Sequence, residues 1–174
     1  MNKKDLIDRC RAGERDAQRE LFERTSTRIY RLLLRMTGDP DDAADLTQET
    51  YVKGLQGLDQ FDGRSEIGTW FYRIAINQAL RFRRRKTTST IRMEELAATG
   101  PTEVQDPKTD VRLDVQEAMA ELASEDRAIL LLRYQEELDY RGITKVLECA
   151  EGTVASRLNR ARERLRGILR RSYG

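Results

Sequence analysis

The arginine-rich stretch near the C-terminal end holds the clearest chemistry in the chain. Thr153, Ser156, Arg157, Asn159, Arg160, Arg162, Arg164 and Arg166 surround a stripe of Val154, Leu158, Ala161, Leu165 and Ile168. The stripe recurs at helical spacing, which predicts a helix over about residues 152–169 with one face to bury. Arginine can bond guanine through two nitrogens, asparagine can do the same with adenine, and hydroxyls and guanidinium groups hold phosphates. A second predicted helix, residues 139–147, precedes it across a joint of only about four residues. Two helices joined so tightly, the second rich in arginine, read as a helix-turn-helix. In that geometry the first turns of the second helix enter the major groove. Ser156, Arg157, Asn159 and Arg160 are therefore the expected base contacts, and Thr153 and Arg164 the expected phosphate contacts. The plainer alternative is a solvated basic face, against which the tight joint weighs.

A second constellation lies in the predicted helix of residues 67–85. Trp70, Phe71, Tyr72 and Phe82 span several of its faces, with Arg73, Asn77, Arg81 and Arg84 on an overlapping one. Aromatic rings beside arginines suit single-stranded nucleic acid, because every base offers a π-face and the backbone offers charge. A flipped base would also need a pocket, and the loop of residues 61–65 is the nearest wall for one. Trp70, Phe71 and Ile74 are read as core; Tyr72 and Asn77 are kept for function. A third constellation is acidic. Residues 39–49 hold five acids and no base. On the helix predicted there, Ala44, Thr47, Tyr51, Leu55 and Leu58 form the expected core face. Asp42, Leu46, Glu49, Lys53 and Gln56 oppose it, with Asp45 at the side. This reads either as a partner-docking surface with Leu46 as its apolar anchor, or as acids drawn to the positive helix end around an ordinary exposed leucine. The spelling Asp41-Asp42-Ala43-Ala44-Asp45 also matches a magnesium-diphosphate motif. That motif needs a second acidic cluster and a larger helical cavity than the chain provides.

The elements that must position these residues are helical. Pro40, Pro101 and Pro107 are the only prolines among 174 residues, and β-branched runs are scarce, which favours helix over sheet. Helices are expected over about residues 3–11 and 14–36. Gly38-Asp39-Pro40 then stops one helix and starts the next, with Asp39 as N-cap and Pro40 in the first helical position. Residues 1–86 form a first domain, residues 87–109 a flexible linker rich in Thr, Ser, Gly and Pro, and residues 110–174 a second domain. A short helical turn near residues 92–97 is expected within the linker. In the second domain, Val111, Val115, Ala118, Met119 and Leu122 make one apolar stripe, and Ser124 is expected to cap the helix that carries residues 129–132. The fold class is all-α: two small helical domains joined by a flexible linker, the second a helix-turn-helix.

Net charge is only +2, yet residues 81–92 hold six basic residues and no acid, and residues 157–171 hold seven arginines against Glu163 alone. Two basic contact surfaces and one acidic one are the natural reading. The chain has no histidine, and its two cysteines, Cys10 and Cys149, lack metal-ligand spacing, so no metal or other cofactor is expected. With no reactive cysteine setting and no glycine-rich phosphate loop, no enzyme activity is expected. No apolar run long enough for a signal peptide or a membrane span stands out, so a cytoplasmic protein without a membrane partner is expected, its cysteines reduced and packed.

Residues 41–51, Asp-Asp-Ala-Ala-Asp-Leu-Thr-Gln-Glu-Thr-Tyr, resemble the region-two helix of the extracytoplasmic-function sigma factors, small two-domain members of the bacterial sigma factors. Residues 68–77, Gly-Thr-Trp-Phe-Tyr-Arg-Ile-Ala-Ile-Asn, are similar to that family's promoter-melting helix. Residues 122–133 and 151–162 are similar to its region four. The resemblance covers nearly the whole chain except the linker, with the three motifs in the family's order. It implies a non-catalytic factor that directs core RNA polymerase to promoters. Asp42, Asp45, Leu46, Gln48, Glu49 and Lys53 would dock on the clamp of the polymerase's largest subunit, and the second domain would meet its flap. Arg64, Ser65, Tyr72, Arg73, Asn77, Arg81 and Arg84 would read and open the minus-ten element, with Asn77 and the loop at Arg64-Ser65 near the flipped base. Thr153, Ser156, Arg157, Asn159, Arg160 and Arg164 would read the minus-thirty-five element as duplex. An anti-sigma factor is the implied inhibitor.

The sequence departs from the family pattern in the helix-turn-helix. Asp139 can cap its first helix, but Gly142 stands where a glutamate would complete a capping box. Ala150 replaces a capping side chain, Glu148 holds a turn position often given to glycine, and Ala155 replaces a frequent basic residue. These departures predict a soft second domain. The rival reading is a helix-turn-helix regulator that binds DNA without replacing an initiation factor; the acidic face and the aromatic helix are features it has no use for.

Overall fold

The computed structural model describes residues 3–93 and 110–172. Among them are eight α-helices and one short 3-10 turn. The first domain comprises α1 (Lys3–Arg11), α2 (Arg15–Thr37), α3 (Pro40–Gln56), the 3-10 turn Leu58–Gln60 and α4 (Ile67–Met93). The second comprises α5 (Asp110–Glu121), α6 (Ser124–Tyr134), α7 (Tyr140–Leu147) and α8 (Glu151–Ser172). The family-like two-domain, all-helical arrangement expected from sequence is the arrangement found.

Local chemistry sets the boundaries. Gly38 takes the left-handed conformation at φ 77° and donates its N–H to the Leu34 carbonyl at 2.8 Å, closing α2. One residue later the Asp39 carboxylate accepts from the N–H groups of Asp41 and Asp42, both at 2.9 Å, and opens α3 with Pro40 in its first turn. This pairs a glycine stop with an Asp-Pro start, each satisfying backbone groups that a helix end leaves over. In α6 the expected cap is corrected: Ser124 is the first helical residue, the N-cap is Ala123, and no side chain caps the helix. Asp139 does cap α7, accepting from Gly142 N–H at 2.7 Å. Glu148 ends α7 in the left-handed region at φ 50°.

The expected end of the fourth helix is also corrected. It runs to Met93 and not to residue 85. Thr87, Thr88, Ser89 and Thr90 cost a helix only a few tenths of a kcal/mol each relative to better formers, at about that scale, and neither Gly nor Pro interrupts them. Residues 87–93 of the expected linker are thus helical, and the rest of it lies outside the described residues, as does most of the helical turn expected near residues 92–97.

The first domain buries Leu21, Ile29, Leu32, Leu33 and Met36 of α2 against Ala43, Leu46 and Tyr51 of α3 and Phe71, Ala75, Ile76 and Ala79 of α4. Helices α3 and α4 approach very closely at Gly54, where a Cβ would lie 2.2 Å from the Phe71 ring. In the second domain, Ile129 and Leu132 of α6 pack on Ile143 and Val146 of α7 and on Val154, Leu158 and Ala161 of α8. Arg127, almost fully buried, joins the domains. Its guanidinium donates to the Met119, Ala120 and Leu122 carbonyls at the end of α5 and, at 2.9 Å, to the Met36 carbonyl near the end of α2. Helix C-termini present unpaired carbonyls with partial negative charge, which is what a buried guanidinium needs in the absence of a carboxylate. Burial, and secondarily Arg83, lowers its pKa to about 10, so it remains charged at neutral pH.

Candidate nucleic-acid interface and docking face

Helix α4 turns one side to the core and another to a cavity. Phe71, Ala75, Ile76 and Ala79 are inaccessible, whereas Trp70, Arg73 and Ile74 are half-buried and Asn77, Arg81 and Arg84 exposed. Of the three residues read as core, only Phe71 is fully so. Trp70 lines a cavity of about 530 Å³ together with Gln60, Phe61, Asp62, Arg64, Ser65, Thr69 and Arg73, with Thr144 and Lys145 of α7, and with Glu148, the C-cap of α7. The loop of residues 61–65 is thus a cavity wall, as its sequence position suggested. The Arg73 guanidinium lies 4.5 Å from the centroid of the Trp70 ring, and Phe61 meets that ring edge-on at 5.8 Å. The Trp70 indole N–H is a buried donor with no partner among the described residues. A buried donor without a partner is costly, at roughly 1–3 kcal/mol, and is rare without a reason.

The loop is shaped from within and held from behind. Gly63 adopts φ 74°, and the Asp62 carboxylate accepts from Arg64 N–H at 2.9 Å, an Asx turn that directs the Arg64 side chain into solvent. Arg11 of α1 anchors the other side by donating to the Leu58 carbonyl at 3.2 Å and to the Phe61 carbonyl. Sequence reading missed Arg11, because nothing local links it to a loop fifty residues away.

Tyr72 is a correction. It was expected to meet single-stranded DNA, but its ring is buried and its hydroxyl donates to the Glu136 carboxylate of the second domain. Glu136 is itself buried and also pairs with Arg28 of α2 at 3.3 Å. Burial first, and then the adjoining Glu136 carboxylate, pushes the Tyr72 phenol well above its ordinary range. Of the other residues expected at the minus-ten element, Arg64, Ser65 and Arg73 share the cavity. Asn77 and Arg81 are exposed on α4 outside the cavity lining, and Arg84 pairs with Glu125 of α6 at 3.2 Å.

On α3 the helix is rotated relative to expectation. Leu46 is buried at 3% exposure, so it is not an outward anchor, and Ala43 is the inaccessible alanine while Ala44 is half-buried. The partners on α2 and α4 cover the face of residues 43, 46, 47, 50, 51 and 54. The outward apolar residue is Val52, 55% exposed, in a stripe with Asp45, Gln48 and Glu49. Their spacing places them on neighbouring turns of one face. Two further charges are tethered. Gln78, buried on α4, donates to Glu49 at 2.7 Å and accepts from Lys53 at 2.6 Å, and Asp42 pairs with Lys86 at 2.8 Å.

Helix α8 buries Val154, Leu158, Ala161 and Ile168, with Leu165 half-buried, and exposes Ser156, Arg157, Asn159 and Arg160. Thr153 is half-buried. Arg164, expected on phosphate, forms an ion pair with Asp126 of α6, and the Asn159 side-chain oxygen accepts from Arg162 at 2.7 Å. Arg157 and Arg160 carry the most outward cationic surface near the start of the helix.

Residues 21–88 match the family model for sigma-70 region 2, and residues 112–165 match that for sigma-70 region 4. The chain is 31% identical over 171 residues to the RNA polymerase sigma-H factor of Pseudomonas aeruginosa, covering 91% of this chain and 89% of that one. Identity is likewise 31% to the ECF RNA polymerase sigma-E factor of Escherichia coli, with the same coverage. It is 29% to the ECF RNA polymerase sigma factor SigW of Bacillus subtilis, covering 96% of both chains. Among solved structures, the fold is similar to that of the sigma factor RpoE of Bartonella quintana in complex with the anti-sigma factor NepR, at TM-score 0.69, 22% identity and coverage of 87% and 96%. It is also similar to CnrH in complex with the cytosolic domain of CnrY, at TM-score 0.71, 19% identity and 94% coverage of each.

Proposed function

This chain belongs to the extracytoplasmic-function (ECF) RNA polymerase sigma factors, and on that premise we propose how its surfaces divide the work of directing core RNA polymerase to promoters. The outward stripe Asp45, Gln48, Glu49 and Val52 of α3, flanked by Asp42 and Lys53, docks on the clamp of the largest subunit. Val52 supplies the apolar contact, and the charges set register and approach. The cavity between the 61–65 loop and α4 takes one base of the separated minus-ten strand. Arg64 and Arg73 meet its phosphates, Trp70 offers its ring, and Asn77 and Arg81 follow the strand along α4. The second domain meets the polymerase flap and inserts the start of α8 into duplex DNA at the minus-thirty-five element, with Arg157 and Arg160 as base readers and Ser156, Asn159, Thr153 and Arg164 around them. The bond-forming chemistry belongs to the polymerase. An anti-sigma factor is the proposed inhibitor, since one structure of similar fold is that of a sigma factor in complex with an anti-sigma factor. The cytoplasm, where polymerase and chromosome meet, is the proposed location.

The observation that carries the assignment of the single-strand site is the cavity itself: a loop wall, the Trp70 ring and two arginines around one space. The docking face is tested by gel filtration of the chain with core RNA polymerase. Wild type is expected to co-migrate, and Val52→Asp and Glu49→Lys to lose co-migration while keeping their helical circular dichroism. Leu46→Asp is expected to unfold the first domain instead. Loss of co-migration in neither surface variant would remove α3 as the docking face. No co-migration of wild type at micromolar concentration would favour a free-standing DNA-binding regulator.

A further inference from the structure

Gln78 is a buried amide of α4 whose two partners both lie on the docking face of α3. Its residue is 5% exposed. The amide nitrogen donates to the Glu49 carboxylate at 2.7 Å, and the amide oxygen accepts from the Lys53 ammonium at 2.6 Å. Glu49 and Lys53 are themselves exposed. A buried amide must find partners, but here it takes two charged side chains that would otherwise move freely at the surface. Their spacing sharpens the point. A glutamate four residues ahead of a lysine is the order that pairs best along a helix. Among the described residues these two make no direct ion pair; the amide stands between them. It can do so in one orientation only, because the reversed amide would set its NH2 against the ammonium and its carbonyl against the carboxylate.

We propose that Gln78 is a positioning residue for polymerase docking: it holds Glu49 and Lys53 apart and ordered, so that both charges meet the polymerase without neutralising each other. The inference rests on the reading of α3 as the docking face. One carboxylate oxygen of Glu49 and two N–H groups of Lys53 remain beyond the bonds to the amide, and a partner can use them. Without the amide, the two side chains pair with each other or wander, and binding must order both again. Ordering one such side chain weakens association by a factor of about 2–10. Removing the amide therefore weakens docking about tenfold, taking the lower half of that range for the two side chains together, although Gln78 is too deeply buried to be a contact itself.

The test is a double-variant cycle on the full-length chain. Core RNA polymerase is titrated into fluorescently labelled protein, and anisotropy gives Kd for wild type, Gln78→Met, Glu49→Gln, Lys53→Met, and Gln78→Met combined with each of the other two. Methionine matches the unbranched shape of glutamine without its amide, and circular dichroism checks the fold. Gln78→Met is expected to raise Kd about tenfold alone, but only about threefold beside Glu49→Gln or Lys53→Met, where one held charge is already gone. A packing fault in α4 would instead weaken binding by the same factor in every background. A Kd for Gln78→Met within about twofold of wild type overturns the proposal, as does an equal factor in every background. Should Gln78→Met lose its fold, Gln78→Glu replaces it. That change still accepts from Lys53 but repels Glu49, so Kd should rise, and the rise should shrink beside Glu49→Gln; an equal rise in both backgrounds overturns the proposal. Wild-type affinity in both Glu49→Gln and Lys53→Met overturns the docking reading of α3, and the role of Gln78 with it.

Discussion

Gly54→Ala should damage the first domain although alanine is the better helix former. Gly54 is buried in α3, and the added Cβ would fall 2.2 Å from one Phe71 ring carbon and 2.9 Å from two more. Ordinary carbon contacts lie near 3.5–4.0 Å, about 1.5 Å farther out. Phe71 has no room to retreat: it is fully buried, and its ring centroid is 4.8 Å from that of Tyr51. Overpacking of this kind costs typically about 1–3 kcal/mol, and so severe an overlap belongs at or above the upper end. The helix-propensity gain from glycine to alanine is up to about 1 kcal/mol. The net expectation is a loss of about 2 kcal/mol, or a fall of roughly 8–16 °C in the Tm of a domain this size. Gly167→Ala is the internal comparison. It lies in α8 with nothing within 4 Å of its added Cβ, so only the propensity gain remains, and Tm should rise by a few degrees, about 4 °C. Thermal unfolding followed by far-ultraviolet circular dichroism decides. A Gly54→Ala protein as stable as wild type would refute the claim that the α3–α4 approach, and with it the alignment of the docking face beside the single-strand site, depends on a missing side chain.

Replacing Arg127 with methionine should cost about 2–4 kcal/mol, because the carbonyls of Met36, Met119, Ala120 and Leu122 lose a charged donor; denaturant unfolding with an unchanged midpoint would contradict this. On alkaline titration, Tyr51 and Tyr72 should ionise late. Burial raises Tyr51 to about 12, and Tyr72 is displaced upward more strongly. Since these folded-state values exceed those of the unfolded chain, their contribution to stability is complete below about pH 10 and is lost as pH rises through about 12; ultraviolet absorbance of phenolate followed beside circular dichroism would contradict the burial if no phenolate appeared late, together with loss of the fold. Amide exchange in α7, Tyr140–Leu147, should be faster than at residues 129–132, because α7 is short, lacks a capping box and ends on Glu148 in a left-handed conformation. Glu148→Gly, which relieves about 1 kcal/mol of backbone strain, should slow exchange within α7, and no change would locate the softness elsewhere.

Much of this protein was legible along the chain because the governing interactions are local. The Gly38-Asp39-Pro40 stop and start, the Asp139 cap and the buried stripe of α8 each follow from groups a few residues apart, and the structure shows each of them. The all-helical class and its two domains follow from periodicity and from breaks in it. Rotation about a helix axis was not legible. The α3 sequence offers apolar residues at 43, 44, 46, 51, 52 and 55, more than one face can bury, and the positions of α2 and α4 select Leu46 for the core and leave Val52 outside. Tyr72 was misread for a related reason. Local pattern marks it as one aromatic too many for the first-domain core, and what covers it is Glu136, a residue 64 positions away in the other domain. The sequence by itself determined which segments are helical and which carry basic, acidic or aromatic chemistry, since backbone hydrogen bonding and side-chain period are properties of neighbours. Only the tertiary structure decided which of those side chains meet solvent and which meet the opposite domain, because burial is set by whatever packs across a face, and that partner is distant in the chain.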